Sequence, residues 1–208
     1  MECSPTSVFG LISGKQVKNA LLHQPSLSSA VKTNSKYNQT QPPSPPFYRK
    51  NLYHMSKLTI DSFEKLQQYE GQEIGVSEYH TITQEQIQKF AEATLDYQWI
   101  HLDAERSQTE SPFKSTIAHG YLTVSLLPYL WGQIIEIQNL KMQVNYEIES
   151  LRFNQAVLVD SAVRLRVKLL SAVNLRGVIK ARLEVTMEIQ DTKKPAFSGV
   201  ITFLYHFN

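Results

Sequence analysis

Residues 90–127 read FAEATLDYQWIHLDAERSQTESPFKSTIAHGYLTVSLL, and the architecture of the chain turns on this stretch. Its first five residues close a helical pattern. Thr83 is a good N-cap for a helix over Gln84–Thr94, with Gln86 three residues on as the capping-box partner. Ile87, Phe90, Ala91 and Thr94 fall at i, i+3, i+4 and i+7, which gives one apolar face. The end of the stretch opens something different. From Ile117 to Ile137 the chain is apolar almost all round, which predicts a helix buried on most of its surface. Pro128 inside this pattern predicts a kink or break. Tyr121, Gln133 and Glu136 argue against reading the same run as a membrane span. Residues 95–116 lack periodicity and contain Ser111-Pro112, so they read as loop with a short helical turn near Ala104–Ser107.

Working outward, the C-terminal side is strand-like. Met142–Ile148, Ala162–Val173, Val178–Gln190 and Phe197–Phe207 are rich in Val, Ile, Leu, Thr and aromatics. Asn174–Gly177 and Asp191–Pro195 supply turns between neighbours. Long meandering strands with one buried helix predict an α+β domain, an antiparallel sheet curled around that helix. On the N-terminal side, Ile60–Gln68 reads as a short helix capped by Asp61 or Thr59. Gly71 and Gly75 mark a turn, and Val76–Ile82 alternates as a strand does.

Residues 1–54 stand apart. Ser, Thr, Asn, Gln and Pro dominate, and Gln41–Pro46 is an extended proline-rich run. Such a segment buries too little apolar surface to offset the entropy of ordering it, so it reads as disordered or as a non-native extension. Its five Lys and one Arg face a single acid, Glu2, for a net +5, which leaves −3 on residues 55–208 of a chain with net charge +2. That mildly acidic domain predicts neither a nucleic-acid nor a membrane partner. Met55 opens MSKLTIDSF, which looks like a translation start; a targeting peptide is the competing reading of the preceding tail. The lone Cys3 forms no internal bridge, which points to a reducing, cytoplasmic setting.

The chemistry concentrates in the central stretch. Asp96 and His101 stand five residues apart, and such a pair can hold one water between an acceptor and a donor. Imidazole takes and returns a proton near neutrality. The alternative is an Asp closing a loop beside a surface His. Gly120 begins near a helix start, where unpaired N–H groups suit a carbonyl oxygen that gains charge. Glycine admits close approach there; packing of a helix on a sheet is the equal alternative. His119 reads more readily as a structural histidine bonded to the backbone than as an acid or base. His101, Asp103 and His119 lack the spacing of a metal site, and neither a metal nor any other cofactor is expected. No phosphate-binding loop or nucleophile elbow is present, and Ser125 reads as a packing residue. His80 and His206 read as ordinary strand residues.

Five ordered matches carry a resemblance: Phe90-Ala91-Glu92-Ala93-Thr94-Leu95-Asp96, Ile100-His101-Leu102-Asp103, Pro112-Phe113, Ile117-Ala118-His119-Gly120-Tyr121-Leu122-Thr123, and the downstream Val144-Asn145-Tyr146 with Leu151-Arg152-Phe153. Over residues 60–207 the chain resembles the MaoC-like dehydratase family, the (R)-specific enoyl-CoA hydratases, and Asp96-Tyr97-Gln98-Trp99-Ile100-His101 with Leu126-Leu127-Pro128 resemble most closely the nodulation protein N branch. The resemblance implies a hot-dog fold over residues 55–208, a long central helix wrapped by an antiparallel sheet, and a homodimer. It implies reversible hydration of an enoyl thioester, on coenzyme A or an acyl carrier, to a 3-hydroxyacyl thioester. On this chain, Asp96 and His101 become the water-holding dyad and the Gly120 amide polarises the thioester carbonyl. Trp99, Phe113, Ile117, His119 and Tyr121 become the substrate-contacting side chains.

Three departures bear on substrate. Gln98-Trp99 stand where the family has Asn-Pro, and Trp99 would fill the acyl pocket. Lys114-Ser115-Thr116 replace favoured glycines, and Pro128 stands where many enoyl hydratases have a serine. Lys114, Arg106 and Arg152 are candidates to meet a carrier phosphate. Thioester hydrolysis by the same dyad and acyl binding without turnover are the other readings of the same residues.

Overall fold

The computed structural model describes residues 57–207, so the tail of residues 1–54, Cys3 and the start at Met55 lie outside the described residues. The chain opens with strand β1 (Leu58–Ile60) and helix α1 (Phe63–Gln67). The expected helix from Ile60 is therefore corrected. Ile60 pairs in a parallel ladder with Ile137, and Ser62, not Asp61 or Thr59, caps α1 by accepting from the Lys65 N–H at 3.3 Å. Strands β2 (Glu73–Val76) and β3 (His80–Thr81) replace the single strand expected over Val76–Ile82. The break follows from Ser77: its Oγ accepts from the Leu165 N–H at 2.9 Å and so takes a ladder position for a side chain. His80 is tied to Gln86, its Nε2 3.0 Å from Oε1.

Helix α2 (Gln84–Thr94) has the expected limits, with Thr83 Oγ1 accepting from the Gln86 N–H at 3.2 Å. Two short helices follow, α3 (Trp99–Leu102) and α4 (Ala104–Glu110), the second longer than the turn expected there because Asp103 caps it. The apolar run then forms α5 (Gly120–Ser125) and α6 (Leu127–Ile134), followed by strand β4 (Ile135–Ile137). The expected helix over Ile117–Ile137 is thus shorter at both ends and interrupted at Leu126. Pro128 supplies no N–H for the turn that spans the interruption. Ile135–Ile137 leave the helix to pair with β1.

Four long strands complete the chain: β5 (Leu140–Phe153), β6 (Ala162–Leu175), β7 (Val178–Ile189) and β8 (Phe197–Phe207). Among the described residues they form an antiparallel sheet in the order β2-β6-β7-β8-β5, with β3 also on β6. β5 outruns the expected Met142–Ile148 because Leu151–Phe153 keep pairing with β8 beyond a register shift between Ile148 and Ser150.

Alternation decides which face is inside. Val163, Leu165, Val167 and Leu169 of β6 and Ala181, Leu183 and Val185 of β7 are buried in one cluster with Leu122, Leu126, Leu130 and Ile134 of the helical pair. Trp131 Nε1–H donates to the buried Tyr205 hydroxyl at 2.9 Å, which satisfies two polar groups inside the core. The residues between point outward and pair their charges, as Arg164 and Arg166 do on Glu188. The α+β architecture expected from sequence is the one observed: an antiparallel sheet around a central helix that is here kinked.

Candidate active site

The site is assembled where α2, α3 and α5 meet. α2 ends in a left-handed residue, Leu95 (φ 62°, ψ 22°), which turns the chain and starts a loop at Asp96. The Asp96 carboxylate is half-exposed, and its Oδ1 accepts from the Gln98 N–H at 3.4 Å. That contact closes a tight turn leading into α3, whose third residue is His101.

His101 is buried, and its Nδ1 lies 2.7 Å from the Ile117 carbonyl oxygen. A carbonyl only accepts, so Nδ1 carries the proton and Nε2 keeps its lone pair. The backbone around the ring is clamped. The Ile117 N–H donates to the Ile100 carbonyl at 3.1 Å. Gln84 bridges the same two segments, Nε2–H to the His101 carbonyl at 2.8 Å and Oε1 from the Thr116 hydroxyl at 2.6 Å. Burial holds the His101 pKa below its ordinary value and the neighbouring His119 adds to this, while the Ile117 carbonyl and Asp96 pull the other way. The ring is thereby biased toward its neutral, proton-accepting form.

His119, the residue before α5, is also buried. Its Nε2 lies 3.0 Å from the Asp96 carbonyl oxygen, the backbone bond that the sequence suggested, and 4.0 Å from Asp96 Oδ2. Its ring stacks on His101 at 3.7 Å between centroids and 23° between planes. Gly120 then opens α5, where a backbone N–H has no acceptor within its own helix. A Cβ at Gly120 would lie 2.9 Å from the Phe153 ring, so any larger residue here obliges that ring to shift.

His101 and Gly120 line a cavity of about 390 Å³, together with Ile117, Tyr121, Phe153 and Val157 among others. Its size suits a small ligand with an apolar body. Of the residues singled out from sequence, His101, Gly120, Ile117 and Tyr121 line it. Asp96 approaches from beside it, a carboxylate oxygen within 4.8 Å of ring nitrogens of both histidines. His119 is not in the lining and stacks on His101. Trp99 is not in the lining either: the Arg106 guanidinium covers its ring at 4.3 Å. Phe113 lies half-exposed on the loop after α4, away from the cavity wall.

Two carrier-phosphate candidates are already engaged. Arg106 pairs with Glu110 at 2.9 Å, and Lys114 Nζ donates to the Thr109 carbonyl at 3.0 Å. Lys114 also takes a left-handed backbone (φ 57°), the conformation that glycine would adopt with less strain. Arg152 is exposed on β5. Sequence reading missed Gln84, Thr116 and Phe153, whose roles depend on contacts far along the chain.

Asp96, His101 and His119 bring three possible ligand atoms together. Each histidine already spends one ring nitrogen on a backbone carbonyl, His101 Nδ1 on Ile117 and His119 Nε2 on Asp96, which leaves one nitrogen of each ring for a proton or an ion.

Comparisons with known proteins bear on the family and the fold. The MaoC-like domain family model matches residues 65–190. A 3-hydroxyacyl-thioester dehydratase Z of Mycobacterium tuberculosis is 40% identical over 139 residues, 66% of this chain and 91% of that protein. Nodulation protein N of Rhizobium leguminosarum bv. viciae is 42% identical over 132 residues, 62% of this chain and 81% of that protein. The solved structure of an R-hydratase from Pseudomonas aeruginosa, unliganded, superposes with a TM-score of 0.56 at 21% identity, over 67% of this chain and 83% of that one. The shared architecture is the hot-dog fold.

Proposed function

The chain belongs to the MaoC-like domain family, and from that premise we propose how its residues carry out the reaction. It is a hydro-lyase that adds water to, or removes it from, the 2,3 position of an enoyl or 3-hydroxyacyl thioester. One observation carries the assignment of roles: a proton-accepting imidazole and a helix-opening glycine line one cavity, with a carboxylate at its side.

In the proposed reaction, the thioester oxygen accepts from the Gly120 N–H. Electron density leaves C3 as charge builds on that oxygen, and the donor stabilises it. A water held between Asp96 and His101 attacks C3. His101 Nε2 takes one proton from this water and returns it to C2, so that hydroxyl and hydrogen are both accounted for. Asp96 accepts the water's other proton as a hydrogen bond and orients the attack. The Ile117 carbonyl fixes the tautomer that leaves Nε2 free. Tyr121 and Phe153, T-shaped at 6.0 Å, frame the cavity for the acyl chain.

The substrate class follows as an acyl-coenzyme A or acyl-carrier thioester. The working unit is proposed as residues 55–208, acting in the cytoplasm as a homodimer. The open edge of β5, with Met142, Val144, Tyr146 and Ile148 exposed, supports edge-to-edge pairing of two copies. Light scattering at micromolar concentration should return twice the chain mass.

Hydration of crotonyl-CoA removes its enoyl absorbance, and that loss is the test of function. Wild-type protein should show it and release no free thiol. No loss with any of several enoyl chain lengths would contradict the assignment, and free-thiol release would convert it to a hydrolase.

A further inference from the structure

We propose that His119 is a positioning residue of this site, one side chain that fixes the spacing of the acid, the imidazole and the oxyanion donor without touching substrate. The inference rests on the hydratase reading above and deepens it.

Three contacts meet in this residue. Its Nε2–H donates to the Asp96 carbonyl at 3.0 Å and so holds the loop that bears the carboxylate. Its ring stacks on His101 at 3.7 Å between centroids and so covers one face of the imidazole. Its peptide bond leads directly into Gly120, and its own carbonyl accepts from the Thr123 N–H at 3.3 Å in the first turn of α5. Its side chain thus reaches Asp96 and His101, while its main chain leads into Gly120. Phe90 packs on the ring at 5.1 Å, so His119 is itself held by the apolar face of α2.

Packing alone does not account for a histidine here. The Nδ1 atom is buried with no hydrogen-bond partner among the described residues, a cost that a phenylalanine of similar shape would avoid. What phenylalanine lacks is the donor to Asp96. A glutamine can supply a similarly placed donor but not the flat ring over His101. The two functions of the residue are therefore separable by substitution. The titratable neighbours of His101 are His119 and Asp96, so removing His119 leaves Asp96 as the sole ionic influence among them.

The test uses the full chain with His119→Ala, His119→Gln and His119→Phe. Hydration kinetics on crotonyl-CoA and NMR titration of the His101 ring are the readouts. His119→Ala should lower kcat about 100-fold, the scale expected for misplacing reacting groups. KM should stay within about twofold, because no ground-state contact is lost. Gln and Phe should each recover part of kcat. The His101 midpoint should rise most in the Ala and Gln variants, which uncover the ring as well as remove the neighbouring imidazole, and rise less in the Phe variant, which keeps the ring covered. A raised KM with unchanged kcat would show direct substrate contact and overturn the proposal. Lowered kcat with an unmoved His101 midpoint in Ala and Gln would make His119 a general scaffold residue and also overturn it. Should the Ala variant fail to fold, the Gln and Phe variants carry the same two readouts. An inactive wild type would sink the hydratase reading, while the ring titration would still decide whether His119 governs His101.

Discussion

The segment from Gln84 to Gly120 and the sheet from Leu140 to Phe207 are built on opposite principles. The sheet repeats one rule, apolar inward and charged outward, over β6 and β7. Its stability is spread over many similar side chains, so no single contact defines it. The segment around the dyad has little repetition. It buries Ser107, Ser111, Thr116, His101 and His119, and several of these are satisfied by single contacts that no neighbour duplicates. Stability and chemistry therefore reside in different places, and each should be breakable without the other.

His101→Ala gives the largest separation. Loss of the proton-accepting ring should lower the hydration rate by about 10²–10⁴-fold, while the sheet keeps the chain folded. Crotonyl-CoA turnover beside a thermal melt checks both halves. The reverse experiment is Leu130→Ala, which empties space at the centre of the core. It should cost about 2–5 kcal/mol in denaturant unfolding, with turnover per folded molecule close to wild type. Gly120→Ala tests the boundary between the regions, since the new methyl meets the Phe153 ring. Rate should fall about 10- to 100-fold through displacement of the oxyanion donor. Pairing it with Phe153→Leu should return part of the loss. Trp131→Phe strands the Tyr205 hydroxyl and should cost about 1–3 kcal/mol with no change in the pH profile.

The pH dependence is the gentlest probe. Burial lowers the folded-state pKa of His101, so the unfolded chain binds its proton more readily. The contribution of this ring to stability is present above the ordinary imidazole value and is lost as pH falls through the lowered one. The acid limb of activity should accordingly lie below the ordinary imidazole range. Asp96→Asn removes a favourable charge and should move that limb lower still.

The same contrast explains what could be read in the sequence. Residue type is local, so the β-branched and aromatic run Phe197–Phe207 marks β8 over the residues that form it, and Thr83 marks the start of α2. The helix after Ile117 was recognised by its apolar character, but its start at Gly120 and its end at Ile134 depend on pairing partners elsewhere. Ser77 broke an expected strand because of a bond to Leu165, 88 residues away. At the site, Asp96, His101 and Gly120 were suggested by residue type and order. Gln84 and Phe153 were not, because their partners lie 17 or more residues away along the chain. Trp99 was expected in the acyl pocket; its neighbour on α4, Arg106, covers its ring instead. Spacing along the chain reveals which chemistry is possible, and tertiary contacts decide which side chains face the cavity.

A co-crystal structure with a non-reactive enoyl-thioester analogue decides between binding modes. The thioester oxygen should lie about 3 Å from the Gly120 nitrogen, with C3 facing His101 Nε2 and the Asp96 carboxylate across one water. An analogue bound with its carbonyl away from Gly120, or seated instead in a second groove lined by Leu127, Pro128 and Tyr146, would contradict the proposed roles.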